Sequence, residues 1–79
     1  DLAAVRQCDV VFAFMEESNP SGVGLSLEVG YAIALGKIVI LVDEKSDPRM
    51  AIVRSAASFT CDALEDGIQL LQQLEMCFV

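Results

Sequence analysis

Apolar runs of two kinds alternate with short polar breaks along the chain. Asp9-Val-Val-Phe-Ala-Phe-Met15 and Ile38-Val-Ile-Leu-Val42 are short, continuous and rich in β-branched and aromatic residues. Such runs predict strands buried on both faces. Val23 to Leu35 is too long for an ordinary strand and halts at Gly36, a residue suited to closing a helix, so it predicts a helix. Ala63 to Met76 sets Leu64, Ile68, Leu71 and Leu74 on one helical face, with Glu65, Asp66, Gln69, Gln72 and Gln73 largely opposite. Leu2 to Gln7 reads as a short helix with Asp1 as a candidate N-cap. Arg49 to Ala57 reads as another short helix, and Ser58 to Asp62 as a short strand. Glu16 to Gly22, with Ser18, Asn19, Pro20 and Ser21, has loop chemistry, and Asp43 to Pro48 is a charged turn.

Helices therefore alternate with apolar strands from end to end. That order predicts an α/β fold, a doubly wound parallel sheet with helices on both faces and right-handed crossovers. Three strands make a thin sheet with two edges to cover, which leads us to expect the C-terminal half of a larger domain whose N-terminal strands lie upstream.

Charge narrows the function. The 79 residues carry 12 Asp and Glu against 5 Lys and Arg, a net charge of -7. This argues against nucleic acid, whose phosphates need a basic footprint, and against an anionic membrane surface. No apolar run reaches the roughly 18 residues of a membrane span, and Asp1 to Asp9 lack the pattern of a signal peptide. Hydrophobic residues make up 54% of the chain, high for one so short. A domain of this size buries only about 60% of its surface, so further cover from a homo-oligomer, a dimer or higher, is expected. The three cysteines, Cys8, Cys61 and Cys77, are far apart, and there is no histidine. Neither a zinc site nor a disulfide framework is indicated, and buried, reduced thiols in a cytoplasmic protein are expected.

One residue stands against its surroundings. Glu28 lies within Gly24-Leu-Ser-Leu-Glu-Val-Gly-Tyr-Ala-Ile-Ala-Leu-Gly36, a helix otherwise apolar or small except for Ser26. Such a helix is expected to be packed on several sides, where a carboxylate is costly unless compensated. Glu28 is near the helix start, whose dipole favours a negative charge, and close to the carboxyl end of the preceding strand, where open α/β sheets bind ligands. The chemistry that fits is a carboxylate acting as nucleophile or stabiliser at a cationic sugar centre; the plain alternative is a solvated glutamate on the one exposed stripe. Gly22 and Gly24 flank the helix start, either to let a ligand approach the backbone or as ordinary turn glycines. No dinucleotide fingerprint or P-loop lysine follows them. Gly30, mid-helix, would be explained by close packing against the sheet or a substrate.

Asp1-Leu2, Cys8-Asp9-Val-Val and Gly22-Val-Gly-Leu-Ser-Leu-Glu28-Val-Gly-Tyr-Ala-Ile-Ala-Leu-Gly-Lys37 together resemble the nucleoside 2-deoxyribosyltransferase family, including the related 2'-deoxynucleoside 5'-phosphate N-hydrolases. Ala51 to Ala57 is similar to the N-hydrolase branch. The resemblance implies a Rossmann-like, flavodoxin-like three-layer fold and cleavage of the N-glycosidic bond of a small deoxynucleoside or deoxynucleotide, with no cofactor and no metal. It implies Glu28 as the nucleophile on the anomeric carbon, and Asp1, Ser21, Gly22 and Gly24 as substrate-binding positions, with Ser26 the alternative to Ser21 for the loop's polar contact. The chain departs from the pattern at two places: Gly22 and Val23 stand where the transferases carry a proton-donating Asp, and Met50 stands near an expected Asn or Ser. Transfer of deoxyribose to a second base is the leading expectation. Hydrolysis of 5'-monophosphates and a catalytically degenerate nucleotide-binding or assembly module are the alternatives, with a receiver-like module last.

Overall fold

A computed structural model describes residues 2–16 and 22–78, with side chains described to residue 74. The elements run α1 (Leu2–Gln7), β1 (Val10–Met15), α2 (Val23–Ala34), β2 (Ile38–Asp43), a 3-10 turn (Pro48–Met50), α3 (Ala51–Ala56), β3 (Phe59–Cys61) and α4 (Leu64–Phe78). The strands form one parallel sheet in the order β1-β2-β3, with Val10 opposite Ile38 and Ile40 opposite Phe59. Helices lie on both faces, which makes this an α/β, Rossmann-like arrangement.

The two faces differ in their cover. Val11 and Ala13 of β1 and Val39 and Leu41 of β2 meet Val5 of α1 and Val29 and Ala32 of α2 in one core, with Val53 of α3 packed against it. Both crossovers thus return on the same side of the sheet, as right-handed connections between neighbouring strands must. The opposite face is covered by α4, whose Gly67 lies directly against Val42 and the Phe12 ring.

Strand burial corrects one expectation. β2 is buried without interruption from Val39 to Asp43, as befits the centre of the sheet. β1 instead alternates, with Val11, Ala13 and Met15 buried and Val10, Phe12 and Phe14 half-buried. It has a paired neighbour on one side only, so its second face is less completely covered.

The helices also differ from the sequence pattern in which face they bury. In α4 the inward position is Gly67, while Ile68 is 42% exposed. Leu64, Gly67, Leu71 and Leu74 carry the helical spacing, so the face is rotated away from Ile68. In α2 only Val29 and Ala32 are buried, and Val23 and Leu27 are 71% and 64% exposed. The helix is packed against the sheet and against α1 and α3, and its outer stripe is left open. Its end is as expected: Gly36 is left-handed at φ 73, Gly36 N–H donates to Ile33 O at 3.0 Å, and Lys37 N–H donates to Ala32 O at 2.9 Å. This closure satisfies the last carbonyls and turns the chain into β2.

Gly67 offers a test of the α4 seat. Alanine is better than glycine in a helix by about 1 kcal/mol. A Cβ at Gly67 would overlap the Val42 Cγ2 methyl and press on the Phe12 ring at 3.1 Å. Gly67→Ala is expected to lower stability by roughly 1–3 kcal/mol in urea unfolding, overpacking outweighing propensity. A raised midpoint would show that α4 does not sit there.

Candidate active site

The carboxyl ends of β1 and β2 lie side by side, with Met15 opposite Asp43. Pairing ends just beyond, where Glu44 N–H donates to Met15 O at 3.1 Å. In a parallel sheet this is the edge at which ligands bind. Three structures converge on it: the start of α2, the 3-10 turn, and a buried ion pair.

The start of α2 is built on Gly22. Its backbone is left-handed, at φ 71 and ψ 12, and it caps the helix without a side-chain hydrogen bond. A side chain is also excluded by space: a Cβ at Gly22 would lie 2.5 Å from Met15 Cε, 3.0 Å from Met15 Sδ and 3.6 Å from Met50 Sδ. Met15 is fully buried and Met50 nearly so. Two thioethers therefore form the floor under the turn. Ser26, one turn on, donates its hydroxyl to Gly22 O at 2.9 Å, with Met50 Sδ at 3.6 Å. That hydroxyl is committed to holding the turn rather than to a ligand. Gly24 is exposed, and a Cβ there would meet nothing within 4 Å.

Glu28 follows in the second turn of α2, about 8 Å along the axis from Val23 at 1.5 Å per residue. It is half-buried, whereas its neighbour Leu27 is 64% exposed. The usual polarity of a surface helix is inverted here. An acidic residue lies on the more covered flank, while Val23 and Leu27 are 71% and 64% exposed. Of the other expected site positions, Asp1 and Ser21 lie outside the described residues.

The ion pair escaped the sequence reading. Asp43 is 1% exposed, and its Oδ2 accepts from Arg54 Nη1 at 2.7 Å. Its Oδ1 accepts from the N–H groups of Lys45 and Ser46 at 3.1 and 3.2 Å. The same Arg54 Nη1 reaches Asp47 O at 3.0 Å. The available signal was positional: Asp43 directly continues the apolar run of β2, and so inherits that strand's burial. Asp47 then caps the 3-10 turn, accepting from Arg49 N–H at 2.9 Å. Side-chain hydrogen bonds from the Arg49 guanidinium, then that backbone bond, hold the Asp47 carboxyl down to about 2.

The described thiols are half-buried rather than fully buried. Cys8 donates to Val5 O at 3.3 Å. Burial first, then the charges of Asp66 and Asp62, push the Cys61 thiol up. Among the described residues, no group of three or more His, Cys, Asp or Glu could hold a metal ion, and no helix is long and apolar enough to cross a membrane.

Comparison with family models finds one, described as nucleoside 2-deoxyribosyltransferase, that matches residues 1–73. The chain belongs to that family. Comparisons with curated proteins and with solved structures gave no match. Family membership supports an enzyme of glycosyl transfer or hydrolysis with a small-molecule nucleoside as substrate.

Two expectations follow for this edge of the family fold. Gly22→Ala forces a left-handed L-residue onto Met15, and should cost about 1–3 kcal/mol in chemical unfolding; an unchanged midpoint would show the turn free to adjust. The Asp47 carboxyl has a lower folded than unfolded value, so its contribution is present above about pH 4 and lost as pH falls through about 2. The stability difference between wild type and Asp47→Asn should therefore be flat at neutral pH and shrink towards pH 2 in acid unfolding.

Proposed function

We propose that the protein cleaves the N-glycosidic bond of 2'-deoxynucleosides and transfers the deoxyribose to a second nucleobase, with Glu28 as the nucleophile. The observation that carries this reading is the inverted polarity of α2. Glu28 is half-buried, whereas Leu27 beside it is 64% exposed. The apolar surface thus lies outside and the acidic residue on the more covered flank, beside the start of α2. The nucleophilic role that the family resemblance implies for Glu28 gives that residue a purpose.

In the first step a Glu28 oxygen bonds to the anomeric carbon, and the bond from that carbon to the base nitrogen breaks. The bond electrons leave with the base, which takes up a proton from water. In the second step a nitrogen of the incoming base attacks the same carbon from the side opposite Glu28, the ester bond breaks with its electrons returning to the carboxylate, and the incoming base's N–H proton passes to water. Two displacements retain the configuration. Gly24, open to solvent at the start of α2, lets the sugar approach the backbone. Gly22 holds that turn through Met15 and Met50. Asp1 and Ser21 are the remaining substrate contacts of this reading.

Hydrolysis of a 5'-monophosphate, with water in the second step, has one observation in its favour. Lys45, Arg49 and Arg54, three of the 5 cations, fall between the carboxyl end of β2 and the end of α3. Base exchange on deoxynucleosides, compared with base release from their 5'-monophosphates, separates the two.

Glu28→Gln is expected to lower either activity by a factor on the order of 10³ or more, as removal of a nucleophile does. The unfolding midpoint should stay within about 1 kcal/mol of wild type, because Glu28 is not in the core. Turnover by wild type and variant at the same rate removes Glu28 from the mechanism.

A further inference from the structure

The Asp43–Arg54 pair reaches beyond the charge it neutralises. Arg54 donates from one nitrogen, Nη1, to two acceptors, Asp43 Oδ2 at 2.7 Å and Asp47 O at 3.0 Å. Asp47 O also accepts from Met50 N–H at 2.9 Å, so the guanidinium and a residue of the floor under Gly22 share one carbonyl. The backbone of Arg54 is fixed in its turn, because Arg54 O accepts from the Thr60 hydroxyl of β3 at 3.1 Å. Met15, the other thioether of the floor, is the β1 residue paired with Asp43, and Glu44 N–H donates to Met15 O at 3.1 Å. Both thioethers beneath the start of α2 are therefore placed from Asp43, Met15 across the sheet and Met50 through Arg54.

We propose that Arg54 is a positioning residue for the reaction. Held by Asp43, it fixes the 3-10 turn through Asp47 O, seats Met50 under Gly22, and so sets the first turn of α2, beside which the sugar and Glu28 meet. The inference rests on the reading of Glu28 as the nucleophile. α2 has two supports. Val29 and Ala32 are pinned in the core, beyond Glu28, while Gly22 and Ser26 rest on Met15 and Met50, before it. Glu28 lies between them, so the second support sets the tilt of the helix at the site. Attack on a sugar carbon needs its reacting atoms about 3–3.5 Å apart, and a misplacement of about 1 Å caused by a remote change costs on the order of a hundredfold in rate.

The chemistry of the pair fits this role. The Asp43 side chain is 1% exposed and that of Arg54 29%. Taking such charges out of water costs about as much as their attraction returns, so a buried ion pair is weak evidence for stability. What it does supply is direction. A guanidinium holds its donors in a rigid fork, whereas an ammonium is a point charge on a flexible stem. Arg54→Lys keeps a positive charge beside Asp43, while its shorter side chain gives up the bond to Asp47 O. The charge and the geometry can thus be separated by substitution.

Steady-state kinetics on the full chain test the role, with base exchange on deoxynucleosides or base release from their 5'-monophosphates, whichever wild type performs faster. Arg54→Lys should lower kcat by roughly tenfold or more and change KM by less than about threefold, at a temperature where its circular dichroism matches wild type. Arg54→Met alone strands the Asp43 charge and should lower the thermal midpoint. Asp43→Asn/Arg54→Met removes both charges together and keeps an amide oxygen for the Lys45 and Ser46 N–H groups. Its midpoint should recover relative to Arg54→Met, because replacing a buried pair by neutral groups often leaves stability intact. Its kcat should stay down by roughly tenfold or more, because Asp47 O still lacks its donor. A merely structural pair would return activity along with the midpoint. Wild-type kcat in Arg54→Lys overturns the proposal, as does recovery of kcat with stability in the double variant. Glu28→Gln at the wild-type rate overturns the nucleophile, whatever Arg54→Lys does. An inactive Glu28→Gln beside Arg54→Lys at wild-type kcat overturns the role of Arg54 alone.

Discussion

A single buried charge organises the edge of this protein at the carboxyl ends of β1 and β2. Asp43 ends the central strand at 1% exposure. A carboxylate taken that far from water costs several kcal/mol unless charge and hydrogen bonds answer it. Arg54 supplies the charge at 2.7 Å, and the N–H groups of Lys45 and Ser46 supply the bonds. Each donor constrains the chain that carries it. The two backbone donors curl the loop so tightly that Ser46 adopts a left-handed φ of 50. Arg54 ties α3 to the same loop through Asp47 O. With Asp47 thus placed, it caps the 3-10 turn that delivers Met50 beneath Gly22. The start of α2, and through it the position of Glu28, depends on a chain of contacts that begins at Asp43.

Two demands on α2 conflict, and the helix resolves them by dividing its faces. The core needs only Val29 and Ala32, which meet Val11, Ala13, Val39 and Leu41. One flank carries Glu28, half-buried where a soluble helix would carry an apolar residue. The outer face carries Val23 and Leu27, where it would carry charge. The exposed apolar pair does nothing for the isolated fold. In the proposed reaction, the flank that carries Glu28 faces the substrate.

Much of the architecture was legible because strand-forming runs are bounded by punctuation that the chain cannot ignore. α1 spans the expected residues, β2 gains only Asp43, and α2 stops at the Gly36 closure. Direction was harder to read. A helix apolar on nearly every side has no periodicity to say which side is buried, so the exposed face of α2 did not show. In α4 the pattern offered Ile68, but a glycine at residue 67 allows the helix to approach Val42 and Phe12 more closely than any side chain would. The Asp43–Arg54 pair was illegible for a different reason. Partners 11 residues apart, across a turn, meet only after β2 and α3 are packed. Of the candidate site, Gly22 and Glu28 were readable from local chemistry, while the thioether floor of Met15 and Met50 needed the sheet to bring the two residues together.

The five glycines separate by what each one serves. Gly22 and Gly36 hold left-handed backbone at the two ends of α2, and Gly67 admits α4 to the sheet. These three answer to the fold. Gly24 and Gly30 do not, because a Cβ on either would meet open space and their helical backbone suits any residue. At about 1 kcal/mol each, two such glycines in one twelve-residue helix are a large concession for a small domain. Both lie on α2, on either side of Glu28 along the chain. A fold under selection for stability alone would replace them with alanine. Close approach from outside is the remaining physical use for a missing side chain. At Gly24, in the proposed reaction, that approach is the sugar's beside the Glu28 carboxylate.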